Sequence, residues 1–153
     1  MVSSVNLQYF EPSEFREWWG DMSPRLLVML DVLRHKIRAP IQISPNPKSL
    51  GRNLGLESHS DHNVDFWGHV LAVDCFVGGV YNRDSAANVI RQAHMIGLTS
   101  IGVYPDWINS QGQKQVGFHL GVRPTRKMGL PAEWGFIGSG QVTLETALGA
   151  LSR

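Results

Sequence analysis

Val70-Leu71-Ala72-Val73-Asp74-Cys75-Phe76 is a near-continuous apolar run interrupted by one carboxylate. Its length and its branched side chains read as a buried strand. Asp74 is therefore expected inside the protein, near the end of that strand. A buried carboxylate is costly unless it has a strong partner, and a metal ion is one such partner.

Working outward, residues 45–68 are rich in Pro, Asn, Gly, Ser and His. A loop of that length in a small domain points to function. Before it, Ile41-Gln42-Ile43-Ser44 alternates like a strand, and Ala39-Pro40 ends whatever precedes it. Ser23-Pro24 is a helix start, and Leu26, Leu27, Leu30, Leu33 and Ile37 follow at helical spacing, which predicts a helix over 24–37. A shorter helix is expected near 12–18. Beyond the Asp74 run, Asp84-Ser85 caps a predicted helix that runs to about Met95 and stops at Gly97. Strands are expected from Thr99 to Tyr104 and from Gln115 to Val122, with Pro105–Lys114 as a hairpin or lid between them. The tail 142–151 reads as a short helix capped by Thr143. This order predicts an α+β fold in which helices pack on a small, mainly antiparallel sheet.

The chain has 153 residues, enough for one domain with a real core, and residues 1–153 are read as a single domain. With 14 basic and 13 acidic residues the net charge is +1, and no basic face suggests nucleic acid. Cys75 is the one cysteine, so no intrachain disulfide forms; it reads as an inert buried thiol. Met1–Asn6 lacks a basic stretch followed by an apolar run, so no signal peptide is expected, and no segment has the roughly 20 apolar residues of a membrane span. Synthesis in the cytoplasm without membrane insertion is the expectation.

Three of the six histidines, His59, His62 and His69, lie close to Asp61, Asp65 and Asp74, and His119 sits on a predicted strand. Zinc accepts imidazole nitrogen and carboxylate oxygen, and a catalytic site leaves one position for water. Composition alone does not choose among these histidines.

A set of motifs does. Phe10-Glu11-Pro12-Ser13-Glu14-Phe15, the Leu-rich segment Leu26–Arg34, Pro40-Ile41-Gln42-Ile43-Ser44, Ser60-Asp61-His62, Ala72-Val73-Asp74, Ser100-Ile101-Gly102-Val103-Tyr104-Pro105 and Phe118-His119-Leu120-Gly121-Val122-Arg123-Pro124 occur in order. Together they resemble the zinc D-Ala-D-Ala carboxypeptidase and L-alanyl-D-glutamate peptidase family, whose core is shared with lysostaphin-type and hedgehog-type domains. The resemblance spans roughly residues 9–124. It implies a zinc metallopeptidase acting on peptidoglycan stem or cross-link peptides, with His62, Asp74 and His119 as ligands. It also suggests a phage-encoded lysis enzyme or virion component that reaches the cell wall after release or within a tail. The rivals are a zinc-stabilised binding module and a tail structural component with a vestigial site.

Three departures matter. Eleven residues separate His62 from Asp74, more than is usual in the family, with Asn63–Trp67 looking like an insertion; His69, with four residues before Asp74, is the rival ligand, and Ser60 two residues before His62 favours His62. The family's acidic residue near the last His is replaced by Gly121 in one branch's position and by Val116 in the other's. Asp106 is therefore taken as the candidate catalytic base, with Asp61 and His59 behind it. The family's substrate-binding Arg is also absent from its place at Pro45-Asn46-Pro47, so Arg52 is the expected substitute, with Ser60 beside it. Trp107, in the candidate lid, is the tryptophan best placed for substrate contact. Trp18, Trp19, Trp67 and Trp134 are assigned to packing.

Overall fold

The computed structural model describes residues 5–152, so the Met1–Ser4 part of the N-terminal stretch lies outside the described residues. A 3₁₀ segment, Pro12–Asp21, opens the fold where a short helix was expected. Helix α1 is Pro24–Ile37, with the Ser23 hydroxyl accepting the Leu26 N–H and Pro24 in the first turn. It buries Leu26, Leu27, Leu30 and Leu33, the stripe its spacing predicts. Strand β1 is Ile41–Ile43, α2 is a single turn at Val64–Trp67, and β2 is Ala72–Val77. Helix α3, Arg83–Ile96, is capped by Asn82 and not by Asp84: the Asn82 side chain accepts the Ser85 N–H and the Ser85 hydroxyl answers it. Strands β3 (Ser100–Ile108) and β4 (Lys114–Gly121) form a hairpin, so half of the candidate lid is strand and residues 109–113 are its turn. Then come β5 (Ala132–Ile137), β6 (Gly140–Val142) and α4 (Leu144–Gly149), the last capped by Thr143 as expected.

The protein is α+β. The strands form one sheet in the order β1-β2-β4-β3-β5-β6, antiparallel except where β5 runs parallel to β3. Period-two alternation divides the sheet into two faces. Val73, Cys75 and Val77, Ile101 and Val103, and Val116, Phe118 and Leu120 join the apolar core together with the helix residues Leu26, Leu30, Val89 and Ala93. The other face carries Asp74, Gly102, Tyr104 and His119.

Among the described residues, no helix is long and apolar enough to cross a membrane.

Candidate metal centre

The sheet register places the two strand-borne residues. Asp74 on β2 is the cross-strand partner of His119 on β4, and His119 in turn pairs with Gly102 on β3. The His119 Nδ1 lies 3.2 Å from Asp74 Oδ1. A one-residue slip would turn His119 into the helix-packed core.

His62 reaches the same point from the long loop. Trp67 Nε1 donates to the Ser60 carbonyl at 3.0 Å, and Leu71 N donates to the Asp61 carbonyl at 2.9 Å. The residues that looked like an insertion thus loop out as α2 and bring the chain back to its start. Arg52 N donates to the His62 carbonyl at 2.8 Å, and Val64 N returns a bond to Arg52 at 3.0 Å. Asn63 organises this loop: its Nδ2 donates to the Gly55 and Ser58 carbonyls, both at 2.7 Å, and its Oδ1 accepts from Leu54 N at 3.0 Å. It is fully buried, and sequence reading gave it no role.

The His62 ring is fixed by one nitrogen and open at the other. Nδ1–H donates to the Leu50 carbonyl at 2.5 Å, while Nε2 is buried, has no hydrogen-bond partner and sits 3.4 Å from Asp74 Oδ2. A buried polar nitrogen without a partner is costly in a protein interior. With Nδ1–H given to Leu50, the Nε2 lone pair is free to take a cation beside Asp74. His62, Asp74 and His119 are all buried, and one ligand atom of each lies within 4.8 Å of the others. Two imidazoles and a carboxylate are a donor set for a divalent metal with an open position, so this group can hold a metal ion. His69 is exposed and is not part of it.

Asp61 is the carboxylate behind His119. Its Oδ2 lies 3.0 Å from His119 Nε2 and accepts a hydrogen bond from the Ser100 hydroxyl, and its Oδ1 accepts from Arg123 Nε at 2.8 Å. The carboxylate is fully buried and engaged on both oxygens. It orients the His119 ring so that Nδ1 faces Asp74, as carboxylates behind metal-binding histidines do. A Cβ at Gly121 would lie 2.8 Å from both Ala72 Cβ and the Leu71 carbonyl, so no side chain fits there. Asp61 is thus a positioning residue, not a free base. Burial alone would raise its pKa, but the hydrogen bonds from His119, then Arg123 and Ser100, hold it far below the ordinary carboxylate range.

Asp106 is not in the site. The β3–β4 register breaks between Tyr104 and Trp107, and the bulge carries Asp106 away so that its carboxylate accepts the Gly138 N–H at 3.0 Å. His59 is exposed and packs at a tilt against Phe66, with ring centroids 4.2 Å apart.

A cavity of about 480 Å³ opens over the cluster, lined in part by Ser60, Arg52 and Arg123. The Ser60 hydroxyl accepts the His62 N–H at 3.3 Å, and Arg52 Nη2 stands 3.8 Å from Asp74 Oδ2. Tyr104, Trp134 and Phe136 form the cavity's aromatic wall. Trp134, assigned to packing from sequence, lies 4.7 Å from the His119 ring and over Gly102, where a Cβ would meet its indole at 2.8 Å. Burial, then the nearby Asp74 charge, push the Tyr104 phenol upward, so it stays a hydrogen-bond donor. Trp107 packs over Gly117 at the edge of a neighbouring recess. Trp18 covers Gly51, and Trp19 packs on Phe15, both structural as expected.

No family model, curated protein or solved structure matches the chain.

Proposed function

We propose that the chain is a zinc-dependent peptidase of the D-Ala-D-Ala carboxypeptidase and L-alanyl-D-glutamate peptidase type, with the hedgehog-like core that family shares. Its proposed substrates are peptidoglycan stem or cross-link peptides, and its proposed setting is phage lysis or a virion. The unpartnered, buried His62 Nε2 facing Asp74 is the observation that carries this reading.

Zinc held by His62 Nε2, Asp74 and His119 Nδ1 would supply a Lewis acid and a water acidified toward neutral pH. The chain's own residues do the rest. Leu50 and Asp61 fix the two imidazole rings. Arg52 offers a guanidinium to a substrate carboxylate. Tyr104 donates a hydrogen bond to the oxygen of the scissile carbonyl as negative charge develops on it. Trp134 and Phe136 shield that oxygen from solvent.

Purified peptidoglycan incubated with the protein, with and without added zinc, tests this reading. New amino and carboxyl termini should accumulate only in the zinc-loaded sample. Their absence would rule it out.

A second reading has its own support. Among the described residues, Asp61 and Asp74 are the only carboxylates lining the cavity, and both are engaged. A zinc-stabilised module that binds wall peptides without cutting them fits that arrangement. Retention on peptidoglycan without new termini would favour it.

A further inference from the structure

The metal-binding cluster does not close a blind cavity. A second recess of about 310 Å³ lies beside the first, and Arg52 and Asp74 line both. The far recess is walled by the Ser44–Ser49 loop and by Trp107. One row of stacked rings runs past both: Trp107 lies 4.0 Å from Tyr104 at 13°, and Tyr104 lies 5.8 Å from Phe136 at 15°. Trp107 belongs to the far recess, and Tyr104 and Phe136 to the near one.

The far wall is built, not incidental. Arg16 adopts φ 56° and ψ −142°, a strained backbone for a non-glycine residue. Its guanidinium donates to the Ser44 carbonyl at 2.5 Å and to the Asn46 carbonyl at 3.3 Å, which pins the loop. Arg52 Nε is committed to the Lys48 carbonyl at 2.8 Å, so its other nitrogens stand at the junction of the two recesses.

An enzyme that removes one terminal residue needs a dead end, where a cation fixes the terminal carboxylate just past the scissile bond. Here the cation stands at a junction, and the groove continues beyond it to Lys48 and Trp107. Resting on the peptidase reading above, we infer that the substrate chain extends past His62, Asp74 and His119 in both directions, and that the bond cut is internal. Water's oxygen joins the acyl carbon, the C–N bond breaks, and the amine leaves with a proton. Neither product is then a single free amino acid.

The test is digestion of purified, cross-linked peptidoglycan by the zinc-loaded protein, with products identified by mass spectrometry. Paired fragments are expected, with no free amino acid among them. Release of single amino acids alone would overturn the inference and leave the peptidase reading standing. No products at all would remove both. Trp107→Ala should raise KM by about 2- to 10-fold, the value of one stacking contact, with bound zinc unchanged. Lys48→Glu, on an exposed loop, should raise KM in the same direction without disturbing the fold. Unchanged KM in both variants would place the substrate outside the far recess.

Discussion

Asp61 holds the imidazole of His119 from 58 positions upstream, with its Oδ2 3.0 Å from Nε2. This contact spans the long loop and the central strand β4. It fixes the ring so that the opposite nitrogen, Nδ1, faces Asp74 at 3.2 Å. The loop that carries His62 therefore also tunes His119, and the metal group is assembled by the same backbone that closes the loop.

Asp61→Asn keeps the shape and removes the charge. Loss of a carboxylate behind a metal-binding histidine costs about 10- to 100-fold in metal affinity. Competition with a chelator should show a loss of that size, and the cobalt-substituted protein should show an altered visible spectrum. Wild-type affinity in the variant would mean that Asp61 has no part in holding the ring.

His62→Ala should abolish stoichiometric zinc, because it deletes the buried nitrogen that faces Asp74 without a hydrogen-bond partner. His69→Ala should retain it, since His69 is exposed and outside the group. Elemental analysis of the two purified variants decides between them, and zinc loss only in His69→Ala would reverse the ligand assignment.

The metal-free protein should have a distinct pH profile. Burial would lower the His119 pKa, but its hydrogen bonds to Asp61 and Asp74 outweigh that and raise it from 6.5 to about 9. The resulting stability is full below 6.5 and is lost as pH rises through about 9. Asp61 and Asp74 run the other way: burial would raise them, but hydrogen bonds with His119 hold both well below 3.8. Their stability is present above 3.8 and is lost as pH falls below it. Tm measured in chelator should therefore peak between 3.8 and 6.5. A maximum above pH 9 would contradict this balance of charges. Metal must displace a proton from His119, so zinc affinity should rise with pH up to about 9.

Tyr104→Phe removes the one hydroxyl proposed to meet the developing charge. Loss of such a donor lowers kcat by roughly 100- to 1,000-fold. KM and bound zinc should stay near wild type, and a fall in zinc content instead would make Tyr104 a structural residue.

Helix α1 and the placement of Asp74 were legible because burial and periodicity coincide there. Leu26, Leu27, Leu30 and Leu33 form one stripe, and Asp74 interrupts an otherwise apolar strand. Other features depend on contacts that spacing does not encode. Asp106 was expected in the Pro105–Lys114 hairpin or lid, but it lies within β3 at a bulge that turns its carboxylate toward Gly138. Asp61 stood out only as an acid near His62; that it points inward to Ser100, His119 and Arg123 depends on strands far along the chain. Gly121 looked like a lost acid, and the close approach of Ala72 and Leu71 explains why glycine is required. The segment Ala132–Ile137 gave no reading as a strand. Its parallel pairing with β3 is what brings Trp134 beside His119.

Anomalous scattering at the zinc edge, measured on crystals of the zinc-loaded protein, addresses the metal centre itself. One peak is expected, bonded to His62 Nε2, an Asp74 carboxylate oxygen and His119 Nδ1, with Asp61 Oδ2 on the far side of the His119 ring. No peak at this cluster, or a peak ligated by His69 in place of His62, would show that the metal centre described above is wrong.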